Sequence, residues 1–320
     1  MKKKLLKILF KILGGVIVFI IGYFFYQTIA ENWDKLRGYD FSYEILPILL
    51  SVLIILISVI YLGFIWREIL YSLTKKMLDP LKMIKIQLNS WLCKYIPGKL
   101  GTALMKVYLG NKEGFSKKEL FISTVYENIL VILSNFIVGI PIVLIFFEKF
   151  SSNQQYLILL IGVGCIFVII LLTTRLLPFL IRIFFKIIKR GEIDNKYFLK
   201  KQKVGLILML YIINIFVFGF SLFLVITGFI DINWWHVFYV ISAFAFANLI
   251  GILTVFVPAG LGVREGVLSL FLANIMPLEI AIIISIVSRL WLALIDLIIV
   301  FLISAFKIKD FAAVKVEKGN

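Results

Sequence analysis

The chain has 320 residues, of which 62% are hydrophobic and 16% are charged, and its mean hydropathy is +1.05. This composition excludes an ordinary soluble enzyme and indicates an integral membrane protein, because several apolar runs reach the roughly 20 residues that cross a ~30 Å hydrocarbon core. The net charge of +16 does not predict a nucleic-acid partner, because the basic residues gather in short connections between apolar runs.

Six apolar runs are long enough to cross the membrane as helices, and the segments between them are too short to fold as separate domains. The first run follows MKKKLLKILFK and has no A-x-A cleavage site, so we expect an uncleaved anchor with a cytoplasmic N-terminus. Basic connections at 67–85 and 175–203 and a basic tail predict a cytoplasmic C-terminus as well. The predicted spans are Leu5–Tyr26, Ile45–Trp66, Leu120–Phe147, Tyr156–Leu177, Val204–Phe229 and Leu278–Phe306.

Two broken stretches, Ile86–Gly110 and His236–Met276, are left over once these six spans are assigned. Proline and glycine interrupt a helix in each of them. The charge pattern is preserved only if each stretch enters and leaves the membrane on the same side. We therefore predict an all-α protein of the cell membrane with six full spans and two re-entrant helical hairpins, whose irregular backbone is covered by protein or lines a wet cavity.

The two broken stretches share the pattern P-x-x-L-G, as Pro97-Gly98-Lys99-Leu100-Gly101 and as Pro258-Ala259-Gly260-Leu261-Gly262. The two copies lie about half the chain length apart. Because each half contains three spans, the second copy must be inverted in the membrane, and inverted repeats with broken helices are typical of transporters. We expect one transmembrane domain over residues 1–320, built from repeats at 1–150 and 151–310, with no soluble domain.

Several charged residues lie inside or at the edges of apolar segments, where an unpaired ion costs at least about 2.5–3.5 kcal/mol. Helices that begin after Gly101 and Gly262 would also direct their N-terminal N–H groups at a phosphate. Together these features predict a path for an anionic lipid headgroup. The charged candidates are Lys94, Lys99, Lys106, Glu127, Arg264, Glu265, Arg289 and Asp296.

Structural explanations for the same residues remain open at this point. Lys94 and Lys99 would also fit side chains that extend to the cytoplasmic headgroups, and the Arg264–Glu265 pair would fit an external loop. Glu127 would fit a hydrogen bond between helices. Arg289 and Asp296 are seven positions apart on one helix face, which fits a structural pair made through a neighbour.

The motifs also resemble a known family. The run IPGKLG with Lys106, then Glu127, PAGLGVREG and SRL at Ser288–Leu290, is similar to the flippase-like transmembrane family of lysylphosphatidylglycerol synthase. The resemblance covers nearly the whole chain and implies movement of lipids or lipid-linked glycans across the membrane. Thr102 stands where the family usually has an acidic residue, and Asn128 stands where it usually has arginine.

Motif and charge together give a predicted headgroup site with no catalytic residue, metal or cofactor. The long family members carry an aminoacyltransferase domain that has no counterpart in this sequence, so we expect no lysyl transfer by this chain alone. The predicted site residues are Pro97, Gly98, Lys99, Gly101, Lys106, Glu127, Pro258, Gly260, Gly262, Arg264, Glu265, Arg289 and Asp296.

Three functions remain open on the sequence. The first is the flipping of an anionic or aminoacylated phospholipid or of a polyprenyl-linked glycan, with membrane lipids as partners. The second is a membrane-embedded transferase that uses the buried carboxylates. The third is an accessory subunit of an envelope-biosynthesis enzyme, which would need none of the buried ions.

Overall fold

The computed structural model describes residues 43–95, 101–148, 197–254, 260 and 262–305, together with Tyr23, Tyr26, Gln27, Ala30 and Phe41. This part of the chain forms eight α-helices and no strand, which confirms the predicted all-α class. Short 3-10 helices lie at Cys93–Tyr95 and Trp234–His236. The helices are α1 Ile45–Thr74, α2 Pro80–Leu92, α3 Gly101–Lys112, α4 Lys117–Glu148, α5 Lys201–Thr227, α6 Val237–Leu253, α7 Val263–Leu272 and α8 Leu278–Ala305.

Five helical segments in the described residues are long and apolar enough to cross a membrane, which supports a membrane protein. Four of them coincide with predicted spans. The fifth, Trp234–Leu253, belongs to the stretch that the sequence assigned to a re-entrant hairpin, and its 20 residues give a length of about 30 Å. The predicted spans Leu5–Tyr26 and Tyr156–Leu177 lie almost wholly outside the described residues. The five segments are Ile45–Thr74, Lys117–Val143, Lys201–Thr227, Trp234–Leu253 and Leu278–Ile303.

Helices α1 and α5 pack antiparallel and define the two ends of the bundle. At one end the Lys203 ammonium lies 2.7 Å from the Glu68 carboxylate, and at the other the Glu44 N–H donates to the Gly228 carbonyl at 3.0 Å. We call the first the basic end, because Lys75, Lys76, Lys82, Lys117, Lys118, Lys201 and Lys203 lie at the helix ends that meet there. We call the second the acidic end, after Glu44, Asp231 and Glu279.

Helices α2 and α3 form an antiparallel hairpin that enters from the basic end. Their 13 and 12 residues give lengths of about 20 and 18 Å, too short to cross a ~30 Å core. Lys82, near the start of α2, pairs at 2.6 Å with Glu113, just after the end of α3, so both arms have their outer ends together. Residues 96–100 at the tip, which include Pro97, Gly98 and Lys99, lie outside the described residues.

Helices α6 and α7 form a second hairpin, which enters from the acidic end. The Tyr239 hydroxyl, near the start of α6, donates to the Phe271 carbonyl, near the end of α7, at 2.8 Å. At the inner end Gly260 has a φ of +66°, and a Cβ on it would lie 2.9 Å from the Gly251 backbone. Both the conformation and the space therefore require glycine at position 260. Pro258 lies outside the described residues.

Helix α6 packs against α4 through very close backbone contact. A Cβ on Gly139 would lie 2.7 Å from the Phe246 backbone nitrogen, so glycine lets the two helices approach. One turn away, near Pro141, the Ser242 hydroxyl donates to the Val138 carbonyl at 2.8 Å and accepts from the Ile142 N–H at 3.0 Å. A neighbouring serine thus supplies hydrogen bonds where proline disturbs the backbone ladder.

The helix contacts repeat between the two halves of the described chain. Exchanging α1–α4 for α5–α8 maps each substantial helix–helix contact onto another one: the α1–α2, α2–α3, α3–α4 and α1–α4 contacts correspond to α5–α6, α6–α7, α7–α8 and α5–α8. The contacts between halves follow the same rule, since α4–α6 corresponds to α2–α8 and α4–α5 to α1–α8. This pattern agrees with two inverted repeats, whose boundaries at 1–150 and 151–310 stay a prediction.

The α4–α6 contact gives a stability prediction. We expect Gly139→Ala to lower the free energy of unfolding by about 1–3 kcal/mol, because a methyl group there must separate two backbones. Gly205→Ala is the matched control: nothing lies within 4 Å of its Cβ position, and alanine favours a helix. Thermal unfolding in detergent measures both variants, and equal melting temperatures for both would contradict the close packing.

The opposite entry of the two hairpins gives a labelling prediction. In a chain with Cys93 and Cys165 replaced by alanine, we expect cysteine at Trp235 to react with an impermeant maleimide from outside the cell. Cysteine at Lys76 should react only after the membrane is permeabilised, because basic connections stay in the cytoplasm. Labelling of both positions from one side would mean that the hairpins do not enter from opposite faces.

Candidate functional site

A cavity of about 300 Å³ lies between the inner ends of the two hairpins. All eight described helices contribute to its wall. Its wall includes Leu62, Trp91, Lys94, Thr102, Asn135, Tyr211, Asn214, Phe218, Phe244, Asn248, Gly251, Arg264, Arg289 and Leu292.

The cavity lies near half the depth of the bundle. Leu62, Asn135, Asn214 and Leu292 line it, and each lies within about one turn of the midpoint of its long helix, α1, α4, α5 and α8 respectively. The hairpins reach this depth from opposite ends. If the long helices span the membrane, the cavity lies close to the middle of the hydrocarbon core.

Three cationic side chains, Lys94, Arg264 and Arg289, line the cavity, and no acidic residue does so among the described residues. They come from three different places in the chain: the 3-10 helix after α2, the first turn of α7 and the middle of α8. Arg264 is only 7% exposed. The wall therefore carries concentrated positive charge at a depth where charge is costly.

Lys94 is held by the buried Asp296 of α8. Its ammonium lies 2.9 Å from Asp296 Oδ1, and the Trp91 indole N–H donates to the same oxygen at 2.7 Å. The ammonium also lies 4.2 Å from the centre of the Trp91 ring, in a cation–π contact. The carboxylate thus fixes the inner end of the first hairpin to α8.

Arg289 and the second hairpin share a second carboxylate, Glu265. Arg289 Nη1 lies 3.8 Å from Glu265 Oε1, while Glu265 Oε2 accepts from the Gly262 N–H at 2.7 Å. Glu265 thereby caps its own helix α7. The buried Nη2 of Arg289 has no hydrogen-bond partner within the described residues, so it retains a donor for a ligand.

A stack of aromatic rings connects the two hairpins along one wall. The ring centres of Trp91 and Phe218 are 6.3 Å apart, and those of Phe218 and Phe244 are also 6.3 Å apart, with interplanar angles of 26° and 10°. Lys94 lies over the first ring, and Arg264 lies 5.0 Å from the centre of the last. This wall holds both cations against apolar surface.

Neutral polar groups also line the cavity. The Asn248 amide donates to Asn135 at 3.0 Å, and the Asn214 amide donates to the Ser58 carbonyl at 3.3 Å. The buried Tyr211 hydroxyl has no hydrogen-bond partner in the described part of the chain. A ligand in the cavity would therefore meet neutral hydrogen-bonding groups as well as the three cations.

Lys106 and Glu127 form a separate pair that does not line the cavity. The fully buried ammonium lies 2.6 and 2.8 Å from the two carboxylate oxygens, and it lies 4.9 Å from the centre of the Trp66 ring. The Trp66 indole in turn donates to Ser123 at 3.0 Å. The pair joins α3 to α4, as expected of a hydrogen bond between helices.

The structure thus gathers some of the predicted site residues and separates others. Arg264, Glu265, Arg289 and Asp296 lie at the cavity or directly behind its wall. The first two belong to a buried helix and not to an external loop, and the last two pair with different partners. Lys106 and Glu127 lie elsewhere, Gly101, Gly260 and Gly262 lie at the hairpin tips, and Pro97, Gly98, Lys99 and Pro258 lie outside the described residues.

Sequence reasoning left several cavity residues out of the predicted site. Lys94 was a candidate, but it was also explained by contact with the headgroup layer. Asn135 and Asn248 are amides within apolar helices, and that signal was available in the sequence. The aromatic wall was not predictable, because in a chain with 30 phenylalanines nothing marks Phe218 and Phe244.

A sequence-family model described as the lysylphosphatidylglycerol synthase TM region matches residues 10–303. No curated protein sequence matches the chain significantly. The family match covers nearly the whole chain and includes all eight described helices apart from the last residues of α8. The chain therefore belongs to the lysylphosphatidylglycerol synthase TM family and is a membrane protein of lipid modification or translocation.

Proposed function

We propose that this protein moves a phospholipid with a small anionic headgroup across the membrane, and that the headgroup passes through the central cavity. The observation that carries the proposal is the group of three cations, Lys94, Arg264 and Arg289, at half the depth of the bundle. An ion crossing the hydrocarbon core needs a counter-charge there, and cations suit phosphate.

The charge balance of the site supports a monoanionic ligand. The three cations are opposed by two carboxylates, Asp296 and Glu265, which leaves one positive charge. A phosphodiester carries one negative charge and would neutralise it. The engaged carboxylates also argue against the transferase alternative, because each is held by a cation and is a poor general base.

The volume of the cavity and the sign of its charge favour one of the substrate classes that the sequence left open. A volume of about 300 Å³ is at the lower limit of ordinary ligand pockets, which suits a phosphate with a few carbons better than a polyprenyl-linked glycan. An aminoacylated lipid such as the lysyl ester would bring two ammonium groups against the three cations. An anionic phospholipid of the phosphatidylglycerol type fits both constraints.

The two hairpins supply the alternating access that such movement needs. One enters from the basic end, which we assign to the cytoplasm, and the other enters from the acidic end. Their described inner ends both line the cavity, an arrangement similar to the broken helices of transporters built from inverted repeats. Movement of one hairpin relative to the long helices would open the cavity to one face at a time.

Within this proposal the Lys106–Glu127 pair is a structural support. It holds α3, the second helix of the first hairpin, to α4 and does not line the cavity. Removing one partner of the pair would lower the stability of the protein, because the remaining charge would be left uncompensated inside the bundle.

The cavity cations give the central test of the proposed function. We expect Arg264→Gln to slow the movement of fluorescent phosphatidylglycerol in proteoliposomes by about 10- to 100-fold, since a hydrogen bond to a charged group contributes about 1.5–3 kcal/mol. Lys203→Gln is the control, because it removes a cation from an ion pair at the basic end.

Dithionite quenching measures the rate, and melting curves establish that both variants are folded. Phosphatidylcholine, with no net charge, should move more slowly than phosphatidylglycerol in the wild-type protein. A wild-type protein that moves neither lipid would refute the proposed function, and an unimpaired Arg264→Gln variant would refute the proposed site.

The structural role of the Lys106–Glu127 pair gives a second, independent test. We expect Lys106→Met to lower the free energy of unfolding by about 3–5 kcal/mol, because the partly buried Glu127 carboxylate is left without its cation. The double variant Lys106→Met/Glu127→Gln should recover most of that loss and should move lipid close to the wild-type rate. A stable double variant that moves no lipid would assign the pair to the transport path.

A further inference from the structure

An apolar groove lies on the outer surface of the bundle between α1 and α8. It has a volume of about 380 Å³, and its wall consists of Val52, Trp291, Leu294, Leu297, Ile298 and Phe301. Leu297 is 65% exposed and Phe301 is 69% exposed. Both helices are long enough to span a membrane, so these side chains would face lipid.

A small void lies between the groove and the central cavity, where a passage between the two would run. A void of about 20 Å³ shares Trp291 with the groove, and it shares Phe218, Phe244, Arg264 and Leu292 with the cavity. A void of this size holds about one water molecule. The passage is therefore closed to a hydrocarbon chain in this conformation, and the Trp291 side chain lies across it.

Trp291 also carries a hydrogen-bond donor without an acceptor. Its indole N–H is buried and has no partner within the described residues. Buried donors are nearly always paired, so an unpaired one calls for an explanation such as an unoccupied ligand position. This donor lies between a cavity with three cations and a groove that is wholly apolar.

We propose, building on the function proposed above, that the groove binds the acyl chains of the lipid while its headgroup occupies the cavity. The Trp291 indole then donates to an ester carbonyl oxygen of the lipid. The order along α8 matches that of a phospholipid: Arg289 at the phosphate, Trp291 at the ester region, and Leu297 at the chains, about 12 Å from Arg289 along the helix.

Filling the groove tests the position of the acyl chains. We expect Leu297→Trp to slow phosphatidylglycerol movement at least about 5-fold, because the larger side chain occupies the space of a chain. Leu290→Trp is the matched control: Leu290 is 60% exposed on the same helix and lies outside the groove. Equal rates for the two variants would overturn the assignment of the groove.

Replacing the indole tests the hydrogen bond. We expect Trp291→Phe to slow the movement of ester-linked phosphatidylglycerol by about 2- to 10-fold, which is the effect of one hydrogen bond. The variant should move the ether-linked lipid at the wild-type rate. A merely structural role of Trp291 would change both lipids alike, and that result would overturn the proposed hydrogen bond.

A crosslinking experiment separates this inference from the proposed function. Phosphatidylglycerol with a diazirine at the middle of one chain should label wild-type peptides that contain Leu297, and Leu297→Trp should reduce that labelling. If labelling misses the groove while Arg264→Gln still impairs transport, the groove inference fails and the proposed function stands. If the wild-type protein moves no lipid, the proposed function fails first.

Discussion

The cost of placing ions inside a membrane determines the arrangement of this protein. Each deeply placed charge that the structure describes lies beside an opposite charge or an aromatic ring: Lys106 with Glu127, Lys94 with Asp296, Arg289 with Glu265, and Arg264 against Phe244. Such ions are stable only if the helices that carry them stay together. The pairs therefore hold the hairpins, and those of Lys94 and Arg289 also bring cations to the cavity.

The hairpin geometry follows from the same requirement. Backbone that leaves the helical conformation at this depth must be covered by protein. In the second hairpin, close glycine contact between Gly251 and Gly260 and the capping of α7 by Glu265 meet this need with the chain's own groups. The N-terminal donor at Gly262 is thus occupied by a carboxylate, so under the proposed function the headgroup would be recognised mainly by side chains.

The sequence predicted the helical class, four of the long helices and the breaks, because hydropathy and Pro–Gly patterns are local signals. It placed eight ions inside or at the edges of apolar segments, and of these Lys106, Arg264, Glu265 and Asp296 are buried, but it did not predict which ions would pair. Lys94 and its partner Asp296 are 202 positions apart in the sequence, and no local signal links them. Charge counting placed Trp234–Leu253 in a hairpin, where α6 and α7 are found, although the length of the segment alone would also suit a full span.

The aromatic wall was beyond prediction for a related reason. Its rings come from α2, α5 and α6, and Phe218 and Phe244 each have another phenylalanine two positions away in the sequence. Packing between distant helices selects these rings, and composition does not. The same holds for Trp291, whose position between two cavities depends on the crossing of α1 and α8.

The single excess positive charge around the cavity has an electrical consequence. A bound monoanion makes the site neutral, so the protein surroundings oppose its passage less than the lipid alone would. Carrying that anion fully across the membrane still moves one elementary charge, worth about 2.3 kcal/mol per 100 mV. In a cell whose interior is negative, the membrane voltage would thus favour outward movement of such a lipid and oppose its return.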